Sequence, residues 1–212
     1  MQKYLLQTRV SFVFLGLVLT VVFLLSPGFS PAADNGPVEQ LKQSVDSILK
    51  ILQSEQLKQP QNKEEREQKI LAVVTDMFDF RDMARSSLGQ SWNDLSSAEQ
   101  DKFVGLFTKL VEQRYVGKID SYENQKVVYG KQRVKDGRAL IYTNIVDKDL
   151  EIPIVYRMEE NNGRWLVNDM KIENVSLIVN YRRDFDSVIR KEQFDGLVKK
   201  IEAQIEKYET AN

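Results

Sequence analysis

Between residues 126 and 173 lie four consecutive runs rich in β-branched and aromatic residues: Val127–Val134, Arg138–Val146, Leu150–Met158 and Trp165–Ile172. Only Asp136-Gly137, Asp147-Lys148-Asp149 and Asn162-Gly163 punctuate them. Connections this short are hairpin turns, so the runs predict a four-stranded antiparallel meander. In the third run Leu150, Ile152, Ile154, Tyr156 and Met158 share one face, and Glu151, Pro153, Val155 and Arg157 the other. Pro153 cannot donate to a ladder, which predicts an edge or a bulge there. The second run is apolar on both faces, so its parity is open.

Helical patterns flank this block. Val38, Leu41, Val45, Ile48 and Leu52 recur at spacings of three and four, and Pro60 closes that region. A second helix is predicted over 63–76 and a short one over 79–88, with Gly89 as its stop. Ser96 and Glu99 have capping-box spacing and open a helix over 97–121, whose apolar face is Phe103, Leu106, Phe107, Leu110, Val111, Tyr115 and Ile119. Beyond the strands, helices are predicted over 175–190 and 192–208. The order of helices (37–122), sheet (126–173) and helices (175–208) indicates an α+β fold, with helices packed on one curved antiparallel sheet.

Residues 1–32 are expected to be an address. Lys3 and Arg9 precede an apolar run from Val10 to Leu25, and Ser30-Pro31-Ala32 offers a cleavage site. That run is short of the roughly 20 residues that span a bilayer as a helix. A retained membrane anchor is the rival reading. Cleavage after Ala32 would leave one domain, 33–212, of 180 residues (212 − 32), and such a protein is exported. It would carry 28 basic side chains (30 less Lys3 and Arg9) and 31 acidic ones, a net charge of −3.

Chemistry is narrowly bounded. The chain has no Cys and no His, which excludes disulfides, thiol nucleophiles, zinc sites built on those ligands and imidazole general bases. With 30 Lys+Arg against 31 Asp+Glu there is no excess of positive charge for nucleic acid. Asp76, Asp79 and Asp82 are spaced by three, as a cation site or acid–base pair could be, but a capped helix surface paired with Arg81 and Arg85 is the plainer reading. Asp169, beside Trp165 and Val167, is a candidate general base or a hydrogen-bonded structural carboxylate. Arg182-Arg183 and Lys199-Lys200 read as solvated helix faces, with contact of Arg182 or Arg183 to an anionic headgroup or partner as the alternative. The aromatic residues fit an ordinary core or a deep apolar cavity; periodicity does not separate the two.

Two segments carry a resemblance. One is Phe78-Asp79-Phe80-Arg81-Asp82-Met83-Ala84-Arg85, with Leu88-Gly89, Trp92, Glu99-Gln100, Phe103, Phe107, Tyr115 and Tyr122 following. The other is Trp165-Leu166-Val167-Asn168-Asp169, with Val175-Ser176-Leu177, Asn180-Tyr181-Arg182, Phe185 and Phe194-Asp195-Gly196-Leu197 beyond. Together they resemble the MlaC, or toluene-tolerance, family over nearly the whole chain after residue 33. Asn174 stands where the family usually has Gly, and Asn tolerates positive φ, so the turn can persist. Arg183 stands where members often carry a small polar residue.

The resemblance implies an NTF2-like curved sheet with extra helices and a periplasmic phospholipid carrier without enzymatic activity or cofactor. Phospholipid is then the cargo. The implied partners are an inner-membrane ABC transporter complex with an MCE-type subunit and an outer-membrane lipoprotein–porin complex, and the chain is expected to be a monomer. The candidates for contact with the acyl tails are Leu106, Leu110, Ile141, Ile152, Ile154, Tyr156, Val167, Met170, Leu177 and Tyr181. The rival readings are a paralogous carrier of another lipid, such as a hopanoid-associated one, an NTF2-like enzyme using Asp169, and a binding module with a solid core.

Overall fold

The computed structural model describes residues 36–119, 122, 125–148 and 151–211, the side chains of 115–119 and 211 excepted. The expected export signal over 1–32 lies outside the described residues, as do Leu150 and the side chains of Tyr115 and Ile119.

Helix α1 spans Pro37–Gln53 and starts with Pro at its first turn, where the missing N–H costs nothing. After a 3₁₀ turn at Pro60–Asn62, α2 runs Lys63–Met77 and α3 Phe80–Leu88. The Asp79 carboxylate caps α3 by accepting the N–H of Asp82 at 2.8 Å. Gly89, at φ 59°, ends it. A second 3₁₀ segment, Gly89–Asp94, leads into α4, Ser97–Ile119. The expected capping box is present: Glu99 Oε2 accepts from Ser96 N at 2.8 Å and from its hydroxyl at 2.6 Å. Those bonds hold the Glu99 carboxyl below its ordinary pKa.

The sheet is β1 Lys126–Lys135, β2 Arg138–Val146, β3 Glu151–Asn161, β4 Arg164–Ile172 and β5 Val175–Ser176, in that order and antiparallel throughout. It therefore has five strands where the sequence pattern predicts four. A two-residue strand is too short to show a period, and Val175 and Ser176 read as the start of a helix. Asp136-Gly137 and Asn162-Gly163 both have positive φ at each residue, as type I′ hairpins require. Asn174 does adopt positive φ, 66°, and Glu173 joins it at 49° to turn β4 into β5.

Pro153 is on neither an edge strand nor a bulge, since β3 pairs with β2 and β4. It sits where β4 ends: the last β3–β4 pair is Ile154↔Ile172, and Glu173 N donates to the Pro153 carbonyl at 3.0 Å. The missing proline N–H falls just past the ladder. Bulges occur instead in β1, where Gly130 and Lys131 oppose Tyr142, and in β4 at Asn168. Extra residues of this kind bend and coil a sheet.

Helix α5, Leu177–Ala211, contains a break. Gln193 has φ 60° and ψ −175°, so the two predicted helices meet there. Nearby, Gly196 has no room for a side chain, because an added Cβ would lie 2.3 Å from Glu192 Cβ. The first half of α5 packs on α4 through a ring cluster: Phe107 and Tyr181 at 5.3 Å, Phe103 and Phe185 at 5.8 Å, both edge-on. Among the described residues no helix is long and apolar enough to cross a membrane.

Candidate functional site

One face of the sheet builds a continuous apolar wall. The register aligns Ala139, Met158 and Val167 across β2–β4, and Ile141, Tyr156 and Met170 beside them. Ile145 and Ile152 form a further pair toward the end of the wall. Strict alternation would separate Val167 from Met170, three residues apart. The extra residue Asn168 restores Met170 to the wall and turns Asp169 away from it.

Leu41 of α1 and Met77 of α2 cover part of this wall, with Ile141, Ile154, Tyr156 and Val167 buried beneath. Ile145, Ile152 and Met170 are only half-buried. Two tyrosines add polar tips to it. Burial pushes the pKa of Tyr156 up to about 12, the Thr143 hydroxyl drawing it back slightly. Burial raises Tyr129 as well, aided by Tyr156, Asp46 and Glu39. The Tyr129 hydroxyl oxygen is buried without a hydrogen-bond partner among the described residues. Tyr129, Thr143 and Ile145 are not among the candidates that the sequence pattern singles out. The alternation Ala139, Ile141, Thr143, Ile145 in β2 was the signal for the last two, obscured by Leu140 and Tyr142 on the opposite face.

The ten sequence candidates divide between two apolar clusters. Ile141, Ile152, Ile154, Tyr156, Val167 and Met170 belong to the sheet wall. Leu106, Leu110, Leu177 and Tyr181 belong to a helical cluster of α3, α4 and α5. Among the described residues Phe78 alone packs against both. Leu110 and Tyr181 also line a recess of about 490 Å³ between α4 and the two halves of α5.

Asp169 is structural in its contacts. Its carboxylate accepts the Ser176 hydroxyl at 2.8 Å and the Ile178 N–H at 3.2 Å, and the Ser176 oxygen in turn accepts the Val179 N–H at 3.1 Å. The pair caps the N-terminus of α5.

The family profile described as "MlaC protein" matches residues 42–203, about three quarters of the chain. The chain belongs to the MlaC family. A relative from Haemophilus influenzae, named intermembrane phospholipid transport system binding protein MlaC, is 24% identical over 204 residues, covering 93% of this chain and 94% of that protein. A solved structure, the phospholipid-binding protein from Ralstonia solanacearum in complex with a phospholipid, superposes with a TM-score of 0.73 at 22% identity. It covers 80% of this chain and 96% of its own, and the likeness is one of fold.

In this MlaC-family member the spaced aspartates form caps and ion pairs. Asp76 pairs with Arg164 at 2.6 Å, Asp79 caps α3, and Asp82 pairs with Arg85. Arg81 pairs with Asp101 at 2.8 Å, and not with Asp76, Asp79 or Asp82 as their spacing suggests. Among the described residues no three carboxylates gather as a metal-binding group. Both arginines are exposed: Arg182 donates from Nε to the Ser86 carbonyl at 2.8 Å, and Arg183 meets Asn180 and Asp184.

Proposed function

We propose that this chain is a periplasmic phospholipid carrier that sheaths acyl chains between the sheet wall and the helical cluster. The observation that carries the reading is the seam between two apolar clusters which, among the described residues, only Phe78 bridges. A solid core would merge the two. The half-covered Ile145, Ile152 and Met170 continue the wall beyond its helical lid. The names of the Haemophilus and Ralstonia proteins support phospholipid as cargo.

The energetics favour such a sheath. At about 0.8 kcal/mol per methylene, two chains totalling about 30 methylenes would cost on the order of 20 kcal/mol to expose to water. Release therefore needs a partner, or a widening of the seam. In this reading Ile141, Ile152, Ile154, Tyr156, Val167 and Met170 contact the tails from the sheet, and Leu106, Leu110, Leu177 and Tyr181 from the helices. The headgroup stays at the mouth. No bond is made or broken, so the work needs neither nucleophile nor metal. Residues 1–32 direct export, and the carrier shuttles lipid between the inner-membrane ABC transporter complex and the outer-membrane lipoprotein–porin complex.

Native mass spectrometry of the chain, expressed with residues 1–32 and purified without detergent, tests the reading. The expected result is a mass increment matching phospholipid, identified by extraction. Protein that stays lipid-free after that expression would overturn it. Transfer of labelled phospholipid between vesicles bearing the two membrane complexes tests the shuttling step.

A further inference from the structure

The opposite face of the sheet carries a feature that lipid carriage does not use. A recess of about 750 Å³ lies between that face and α3. Five cationic side chains line it: Arg85 from α3, Arg133 and Lys135 from β1, Arg138 from β2 and Arg157 from β3. Its acids are Asp82, Asp136 and Glu159, and each has a cation of its own. Asp82 pairs with Arg85, Asp136 with Lys135 at 4.0 Å, and Glu159 with Arg138 at 3.6 Å. Arg133 and Arg157 are left over, both exposed and with no side-chain hydrogen bond or ion pair among the described residues.

The register places these two arginines on strands either side of Leu140. Arg133 pairs with Leu140, and Leu140 with Arg157, so the three form a row across β1, β2 and β3. Strands lie about 4.8 Å apart, which puts the two arginine backbones about 10 Å apart with an apolar side chain between them. The surplus is local: the chain as a whole has a net charge of −1.

From this arrangement we infer that the recess docks an acidic segment of a protein partner, presenting two carboxylates about 10 Å apart around an apolar side chain. Arginine suits such a role because its planar fork meets a carboxylate bidentately. A protein segment fits better than a lipid surface. The site is concave, so a protruding segment enters it where a flat bilayer does not. Leu140, half-buried on the floor, gives a side chain to pack on, and contact with the two arginines gives orientation and rate.

The test uses the full chain and a fluorescein-labelled peptide, Glu-Ala-Ala-Leu-Ala-Ala-Glu, stapled as a helix so that its glutamates lie about 9 Å apart along the axis, and whose glutamates can be replaced by Gln. Anisotropy should report binding of the Glu peptide that weakens as salt rises. Binding should drop at least about tenfold with the Gln peptide, and equally in the double variant Arg133→Glu, Arg157→Glu. Both residues are exposed, so the variant should keep the melting temperature and bound lipid of the parent. Glu and Gln peptides that bind alike, or a double variant that binds the Glu peptide as the parent does, would overturn the inference. So would capture by phosphatidylglycerol vesicles that depends on the same two arginines, which would make the site a membrane contact. The lipid content of the same samples reports on the carrier reading separately.

Discussion

Asp169 and Ser176 are joined through both carboxylate oxygens, at 3.0 and 2.8 Å, in a buried contact that ties the end of β4 to the start of α5. Oδ1 also accepts the Ile178 N–H. Asp169→Ala should cost about 1–3 kcal/mol, since it strips the cap and leaves a buried hydroxyl and N–H short of partners. Asp169→Asn should cost less. Thermal melts check both, and protein that folds should still co-purify with lipid. Unchanged stability in the alanine variant would mean that the contact holds nothing together.

Ile152 and Ile154 lie on the same face of β3 but differ in cover. Ile154→Ala, at a side chain 5% exposed, should cost about 2–4 kcal/mol by cavity formation. Ile152→Asp, at a half-buried position, should cost less stability but remove most bound lipid, because a carboxylate at the open end of the wall would face the tails. Denaturant titration and native mass spectrometry separate the two effects. Ile152→Asp that retains full lipid would place the tails elsewhere.

Tyr156 predicts an alkaline limit. Its pKa rises from about 10 unfolded to about 12 folded, so the folded state holds its proton more tightly. That contribution is complete below about pH 10 and is lost as pH rises toward 12, for a total of roughly 3 kcal/mol. Urea midpoints measured from pH 8 to 11 should fall above pH 10, and Tyr156→Phe should flatten the decline. An equally steep fall in the phenylalanine variant would assign it to other groups, Tyr129 first.

The break in α5 concentrates strain on Gln193, whose φ and ψ fall in a region that glycine alone occupies readily. Gln193→Gly should therefore stabilise the chain by about 1 kcal/mol, although glycine gives part of this back as entropy of the unfolded chain. Gly196→Ala should act in the opposite sense, because its Cβ would meet Glu192 Cβ at 2.3 Å. Paired melts of the two variants test the local geometry, and opposite signs are the expected result.

Much of this architecture is legible in the residues themselves. Asp136-Gly137 and Asn162-Gly163 announce their hairpins because few residues other than Gly, Asn and Asp accept two consecutive positive φ values. Ser96 and Glu99 announce α4 by a local hydrogen-bond exchange that needs no tertiary context. What was hidden depends on partners distant in sequence. The bulge at Asn168 decides which of Val167, Asp169 and Met170 face the wall, and it arises where the outer edge of β4 changes neighbour. The apolar residues of α4 and β3 look alike in a sequence, so nothing local told Leu110 and Ile154 that they would join different clusters.

The outer edge of β4 pairs first with Phe78, in parallel, and then with β5, so part of its hydrogen-bonding edge is already taken. Among the described residues, the long strand left open is β1 on the other side. It carries Lys126, Lys131, Arg133 and Lys135, and a bulge at Gly130 and Lys131 spoils its straightness. An open edge is where a second copy would add strand to strand and begin a fibril, and charge together with a bulge discourages that growth.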